Sequence, residues 1–314
     1  MKRILFIGLG SIGKRHLLNL SEIFDKYRTS ATFDALRSQN NPLPKNLGSR
    51  LNRVFTSPDQ IKNQYDYAFI CTPTHLHFET IRTVVPFSQN LFIEKPVFDR
   101  TDYDLDELGS LSNGIQYVAC PLRYTSVLQS IKKIVSTQKV LAVRAICSTY
   151  LPNWRSGTDY RNTYSAHRKQ GGGVSIDLIH EWDYISWLFG YPLKVSNMHG
   201  KFSNLEIDSD DHSLYIARYP DKQISLSLDY FGRIERREVE LYLEEDVIVG
   251  DIRNQKIHFL KENKTISCSE ERDAYQKREL CHFLSITDQT LPNDNSISHA
   301  LHTLMLAKGN IPLL

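Results

Sequence analysis

The hydrophobic rhythm of the chain changes about two fifths of the way along. In the first stretch, short unbroken apolar runs alternate with helical segments. Ile4-Leu5-Phe6-Ile7 closes a run over 2–7, a Gly-rich turn follows, and the pattern predicts a helix over 11–24. Further runs predict strands over 32–36, 67–71, 91–93 and 117–119. Apolar runs without alternation need cover on both faces, and helices between them imply βαβ units around a parallel sheet.

Beyond that point the period becomes two. Ile224, Leu226, Leu228 and Tyr230 exchange with Ser225, Ser227 and Asp229, while Val239, Leu241 and Leu243 exchange with Glu238, Glu240 and Tyr242. Such strands belong to an antiparallel or mixed sheet with two different faces. Helices are predicted over 124–137, 175–189, 273–286 and 296–308. The length of 314 residues exceeds what one core usually serves. The expected architecture is α/β: a doubly wound parallel sheet over 1–120, a boundary near Cys120-Pro121, and an α+β domain over 121–314 with a large open, mostly antiparallel sheet. Helices of the same chain can cover one face of that sheet, and a symmetric partner is expected on the other, giving a homodimer or homotetramer.

Composition narrows the function. Hydrophobic residues at 41% and charged residues at 24% fit a soluble globular protein. A net charge of +2, from 38 Lys+Arg against 36 Asp+Glu, argues against a general nucleic-acid binder. The five cysteines, Cys71, Cys120, Cys147, Cys268 and Cys281, show no C-x-x-C spacing. No metal site or redox dithiol is expected, and the odd, scattered set suits a reducing, cytoplasmic setting. The apolar run after Met1-Lys2-Arg3 is short and interrupted by Gly8 and Gly10, so it reads as a strand and not a signal peptide. No stretch reaches the ~18 apolar residues of a membrane span.

Gly8-Leu9-Gly10-Ser11-Ile12-Gly13 matches G-x-G-x-x-G between a buried strand and a helix, the context of a Rossmann dinucleotide site. The glycines permit a tight turn and close approach of a pyrophosphate, and the helix N-terminus offers N–H donors. An NAD site would place a carboxylate at the end of the second strand. Here Asp34 falls inside the strand, and Arg37-Ser38 stand at its end, where a 2′-phosphate needs a cation and a hydroxyl. NADP is therefore the expected cofactor, with NAD as the alternative.

Three further segments complete an ordered set: Cys71-Thr72-Pro73-Thr74-His75-Leu76-His77, Glu94-Lys95-Pro96, and Gly171-Gly172-Gly173 leading to Asp177-Leu178-Ile179-His180. With the glycine motif, they resemble the glucose–fructose oxidoreductase, inositol dehydrogenase and rhizopine catabolism (Gfo/Idh/MocA) family over residues 1 to about 190, and more loosely to the end. The resemblance implies hydride transfer at a sugar or polyol carbon and an open sheet used for dimerisation. It implies Lys95 near the nicotinamide and the reacting hydroxyl, with Asp177 and His180 opposite. It also brings Cys71, Thr72, Pro73, His77 and Glu94 to the cofactor, with His75 and His77 as helix-start or cofactor-edge residues. The step from Asp177 to His180 is three, shorter than is common in the family.

Chemistry supports these roles. Oxidising an alcohol requires a base and reducing a ketone requires an acid, and an imidazole serves both directions. A lysine stabilises negative charge developing on the reacting oxygen. A spacing of three places Asp177 and His180 on one face of a continuous helix.

Aromatics and cations interleave just upstream, in Tyr150, Trp154, Arg155, Tyr160, Arg161, Tyr164, Arg168 and Lys169. Aromatic faces stack on rings, and arginines fork onto carboxylate or phosphate, so an anionic sugar is expected. Trp154, Arg155, Tyr160 and Arg161 are the substrate candidates here, and Arg123 and Tyr124 resemble a family position facing the active site. The segment also resembles that of family members in bacterial surface-glycan biosynthesis, which points to nucleotide sugars or sugar acids. The competing readings are an NAD-dependent dehydrogenase of a free polyol or sugar, and a non-catalytic dinucleotide sensor; Lys95, Asp177 and His180 together favour the enzyme.

Overall fold

The computed structural model describes residues 1–38, 42–109 and 114–310, and the chain divides into two units. The first comprises Met1–Ala119 with Gln276–Leu301, and the second Cys120–Tyr275 with the stretch from His302.

In the first unit the unbroken apolar runs form a six-stranded parallel sheet. Its strands are β1 (Lys2–Ile7), β2 (Ala31–Leu36), β3 (Leu51–Phe55), β4 (Tyr65–Ile70), β5 (Ser88–Ile93) and β6 (Gln116–Val118). Their order is β3-β2-β1-β4-β5-β6, the doubly wound Rossmann arrangement, which reverses direction between β1 and β4. The helices begin with α1 (Ser11–Lys26), α2 (Lys45–Gly48), α3 (His77–Val84) and α4 (Leu105–Gly109). Polar β3 is an edge strand that the apolar pattern does not single out.

A ladder of rings ties the middle strands together. Phe6 stacks on Phe69 at 4.7 Å between ring centres, and Phe69 on Phe92 at 4.9 Å. The ladder is covered from far along the chain. The second unit contributes α5 (Ser126–Val135), α6 (Val174–Asp177) and α7 (His180–Phe189); α8 (Ala274–Thr287) and α9 (Ile297–Ala307) follow. Phe283 of α8 meets Phe92 edge-on at 5.4 Å and Phe69 at 6.0 Å. Asn295 donates its side-chain amide to the Val118 carbonyl at 2.8 Å, and Val118 N–H donates to the Asn295 carbonyl at 2.8 Å, closing the β6 edge. The expected division gave all of 121–314 to the second domain; Gln276–Leu301 instead belongs with the first, because its rings and amide complete that sheet.

The second unit holds β7 (Val140–Tyr150), β8 (Lys194–Gly200), β9 (His212–Arg218), β10 (Gln223–Asp229), β11 (Phe231–Leu243), β12 (Val247–Asp251), β13 (Lys256–Phe259) and β14 (Lys264–Ser267). They form one sheet, ordered β14-β13-β12-β11-β7-β10-β9-β8, antiparallel except where β7 and β10 run parallel. Together with the parallel first sheet this is the α/β architecture expected. Helices pack on one face, where Trp182 of α7 meets Tyr215 of β9 edge-on at 5.3 Å. Neighbours on the opposite face include Met198 and Ile216, both exposed. The helix expected over 175–189 is interrupted. Leu178 (φ −94°, ψ 27°) leaves the helical region, so Asp177 ends α6 and His180 begins α7, and the pair does not ride on one continuous helix. Among the described residues no helix is long and apolar enough to cross a membrane.

Candidate active site

The glycine turn of the first unit divides its labour. Gly8 sits at φ 87°, and a Cβ there would lie 2.8 Å from the Cys71 carbonyl oxygen. A Cβ on Gly13 would come within 2.2 Å of the Gly8 carbonyl oxygen. These two glycines close the turn. Gly10 has open space where its Cβ would be, and it caps α1 without a side-chain acceptor. The first turn of α1, opened by Ser11 and Ile12, carries no acidic residue. Room for a close approach and the N–H donors that open a 16-residue helix are what a pyrophosphate requires, so the residues fit a dinucleotide.

Asp34 is committed to the interior of the unit. It accepts from the Tyr65 hydroxyl at 2.8 Å and from Asn52 Nδ2 at 3.1 Å. Burial, and then Asp34, push the Tyr65 phenol well up, so it stays a donor. Arg37, half-buried, and Ser38, exposed, follow directly after β2.

The segment after β4 supports the turn from behind. Cys71 is buried against Gly8 and Gly13, where it packs the turn, and burial pushes its thiol well up. His77 is also buried, with Nδ1 3.0 Å from the Val97 carbonyl and Nε2 2.9 Å from the Thr72 carbonyl. It pins Thr72 to the chain beyond Pro96, leaving Pro73 and His75 exposed. Glu94 takes an Nε2–H hydrogen bond of 2.5 Å from buried His16 of α1, and its other oxygen accepts Lys95 N–H at 3.2 Å. Burial opposes ionisation of Glu94 most strongly, but the His16 bond, the His16 charge and Lys95 together outweigh it and hold the carboxyl below its usual range. Sequence reasoning missed His16; its link to Glu94 joins the helix of the glycine turn to the turn that carries Lys95.

In the second unit, Asp177 is buried and accepts from the Tyr230 hydroxyl at 2.5 Å. Burial first, and then the Asp177 carboxylate, hold the Tyr230 phenol far above its ordinary pKa. The hydroxyl end of Tyr164, screened from water and beside Asp177, is likewise pushed up, although the residue as a whole stays exposed. Trp154 packs edge-on against Tyr230 at 5.2 Å and donates to Thr149 Oγ1 at 2.6 Å. The aromatic segment therefore reaches Asp177 through rings and phenols.

His180 opens α7, and the residues after it anchor that helix. Glu181 is buried and paired to Arg237 of β11 at 2.9 Å. Asp183 receives a bidentate fork from Arg123, Nη2 to Oδ1 at 2.7 Å and Nε to Oδ2 at 3.0 Å. Arg123 was expected at the substrate; its buried guanidinium ties the helix to the turn ending in buried Tyr124.

Arg161 needs a correction. Asp159 is the only acid nearby in sequence, but Glu206 folds back onto the same guanidinium. Arg161 holds Asp159 through Nη2 at 2.8 Å and Glu206 through Nη1 at 3.0 Å, so its charge is neutralised within the loop. The Tyr160 hydroxyl accepts Glu206 N–H at 3.2 Å. Arg155 is exposed, its guanidinium 5.9 Å from the centre of the Tyr164 ring.

Comparison with known proteins identifies the family of both units. The model of the oxidoreductase family with NAD-binding Rossmann fold (GFO_IDH_MocA) matches residues 2–112, and that of the GFO/IDH/MocA C-terminal domain matches 128–249. The uncharacterized oxidoreductase YrbE of Bacillus subtilis is 26% identical over 191 residues, 59% of this chain; the matched part spans about half (52%) of that protein's length. Among solved structures, the WlbA dehydrogenase from Bordetella pertussis, in complex with NADH and UDP-GlcNAcA, matches with a TM-score of 0.79 at 15% identity over 100% of this chain and 99% of that one. The UDP-N-acetylglucosamine 3-dehydrogenase GnnA from Acidithiobacillus ferrooxidans matches with a TM-score of 0.77 at 17% identity over 98% and 95%. At these identities the two likenesses concern the fold.

The His16–Glu94 bond makes a stability prediction. A carboxyl depressed in the folded state stabilises above its unfolded pKa, about 4.3 for glutamate, and loses that contribution as pH falls through the folded value. Glu94→Gln should cost about 1.5–3 kcal/mol at pH 7, the scale of a charged hydrogen bond. The gap to the unmutated protein should narrow below about pH 4. Urea unfolding at both pH values measures it, and a gap independent of pH would remove Glu94's charge from the account.

Proposed function

Because the chain belongs to the Gfo/Idh/MocA oxidoreductase family and carries its NAD-binding Rossmann domain, we propose that it transfers a hydride between a nicotinamide dinucleotide and a hydroxyl-bearing carbon of an anionic sugar derivative, a nucleotide sugar or sugar acid. The observation that carries the reading is the buried Asp177, gripped by Tyr230 at the entrance to the helix that His180 opens. GnnA is a UDP-N-acetylglucosamine 3-dehydrogenase and WlbA binds NADH and UDP-GlcNAcA, which supports the substrate class.

When bound, the nicotinamide ring supplies the hydride acceptor or donor. In the oxidising direction His180 takes the hydroxyl proton as the carbon gives up its hydride and the carbonyl forms. The Lys95 ammonium donates to the same oxygen and stabilises its negative charge. Asp177 positions the substrate or the imidazole, its own orientation fixed by Tyr230. Reduction runs the same steps backwards, with His180 as the acid.

Lys95→Ala should reduce turnover by about a hundredfold or more while leaving cofactor affinity nearly intact, the scale of losing one oxyanion donor. His180→Ala should flatten the limb of the pH–rate profile that a general base produces. Steady-state assays on a panel of UDP-sugars and sugar acids, with the matching neutral sugars beside them, are the test. Undiminished turnover in Lys95→Ala on the true substrate would remove that residue from the site.

The preferred cofactor in this reading is NADP(H), with Arg37 and Ser38 receiving the 2′-phosphate that the internalised Asp34 cannot oppose. NADPH should bind more tightly than NADH, and Arg37→Ala should erase about 1.5–3 kcal/mol of the difference. Fluorescence titration that finds NADH equal or tighter on the unmutated protein overturns the preference.

Assembly follows from the uncovered sheet face, where exposed Met198 and Ile216 invite a second copy in a homodimer or homotetramer. Sedimentation equilibrium should report an oligomer at micromolar concentration, and Ile216→Glu should shift it toward monomer.

A further inference from the structure

A cavity of about 430 Å³ opens in the second unit, at one end of the eight-stranded sheet. Tyr150, Tyr160, Phe202 and Phe231 give it aromatic walls, with Ser203, Asn204 and Arg233 as the polar side chains. Of these, only Tyr160 was singled out from the sequence as a substrate residue. We propose that this cavity binds a nucleoside diphosphate, the base among the rings and the phosphates on Arg233. The proposal rests on the reading of the chain as a nucleotide-sugar oxidoreductase and assigns the nucleotide a place.

Buried carboxylates hold the walls. Asp229, at the end of β10, accepts Gly232 N–H at 2.8 Å and the Ser148 hydroxyl at 3.0 Å. A Cβ on Gly232 would lie 1.9 Å from Ser148 Oγ, so a side chain there would displace the serine that Asp229 holds. The pairing of β11 with β7 slips between Phe231 and Arg236, the irregular stretch that carries Arg233. Asp211, fully buried, accepts Phe202 N–H at 2.7 Å, Ser203 N–H at 2.9 Å and the Ser203 hydroxyl at 2.5 Å. This fixed turn displays Phe202, 72% exposed. His212 completes the cluster, its ring 5.9 Å from Phe202 and 5.8 Å from Phe231. A phenylalanine held by a buried carboxylate and left in water has a rigid shape with no intramolecular reason for its exposure, as a binding surface requires.

The charge pattern selects the ligand. Arg161 is neutralised by Asp159 and Glu206. Arg233 makes no ion pair among the described residues; its guanidinium lies 3.9 Å from the centre of the Tyr150 ring. A planar cation stacked on an aromatic face keeps its N–H edge available for phosphate oxygens. The remaining lining offers four rings, and its Ser203 hydroxyl is committed to Asp211. Stacking faces of this kind suit a planar base better than a hydroxyl-rich free sugar. The volume also lies within the usual range for small-molecule sites, about 300–1,000 Å³.

UDP is the probe, because ADP would compete for the dinucleotide site. Calorimetric titration of UDP into the full chain with saturating NADPH, or NADH if that binds better, should show one saturable event. Arg233→Ala and Phe202→Ala change exposed residues, so folding is expected to survive, and each should weaken UDP about tenfold or more. Arg82→Ala, an exposed cation of the first unit, serves as the charge-matched control and should leave UDP affinity unchanged. Inhibition by UDP that competes with a UDP-sugar substrate assigns the cavity to the substrate's own nucleotide. UDP that binds without competing makes it a site for a free nucleotide effector; both results keep the nucleotide assignment. No UDP binding at millimolar concentration, or unaltered affinity in both variants, overturns it. Binding is read without turnover, so the two readings fail separately. A chain that binds UDP here yet oxidises no sugar keeps the cavity and loses the enzyme reading, and one that oxidises a sugar acid without binding UDP does the reverse.

Discussion

A carboxylate removed from water must be given donors, or its burial costs several kcal/mol. In this chain that requirement acts as a positioning device. Glu94 claims a donor from His16 on the helix of the glycine turn and another from the backbone of Lys95. Asp177 claims the Tyr230 phenol and Asp183 the Arg123 fork, while Glu181 is ion-paired with the half-buried Arg237. Asp211 and Asp229 draw their donors from backbone N–H groups, and so fix turns more than side chains. Glu94 sits beside Lys95, Asp177 is itself a proposed site residue, and Glu181 and Asp183 belong to the helix that His180 opens. Geometry near the site is thus set largely by groups to which no proton or hydride step is assigned.

The helix that begins with His180 shows why two anchors matter. One ion pair would let a ten-residue helix pivot about the contact. Glu181 reaches β11, and Asp183 reaches the turn that precedes α5, so α7 is held at two points on different elements. Neither pair is strong evidence of added stability, since the desolvation of each ion offsets most of its Coulomb attraction. What the pairs contribute is direction. Losing one partner would strand a buried charge, so the helix cannot drift without a large cost. Pre-organisation of this kind is what a proton-transfer group needs, because a misplacement of about 1 Å can lose most of the rate.

Legibility in the sequence followed the range of the interaction. Local patterns were readable: the unbroken runs gave β1, β4 and β5, the period of two gave β10 and β11, and G-x-G-x-x-G gave the turn. Partnerships across the chain were not. Nothing in Asp159-Tyr160-Arg161 reports that Glu206 will fold onto the arginine, so Arg161 looked like an anion receptor. Nothing in α8 says which sheet its Phe283 will cover. The break at Leu178 was hidden because apolar residues continue through it. One signal was available and unused. Arg237 shares its parity with Val239, Leu241 and Leu243, the buried positions of β11, and a cation in inward register demands a buried acid.

The two units arrive at opposite solutions to holding a phosphate. In the first, the donors are backbone N–H groups at the end of α1, exposed by a glycine that keeps side chains away. Their strength depends on contact and alignment, and they carry no net charge for salt to screen. In the second, Arg233 offers a full charge on an exposed side chain, steadied by Tyr150 and surrounded by rings. Its attraction reaches further but weakens with ionic strength, and the rings hold what the charge attracts. A backbone site suits a cofactor gripped by many fixed short-range bonds. A guanidinium among aromatics suits a ligand drawn in from solution, recognised by the flatness of one part and the charge of another. The difference follows from what the backbone allows at each place: a helix N-terminus supplies donors of its own, whereas a strand end with its amides already paired must present a side chain.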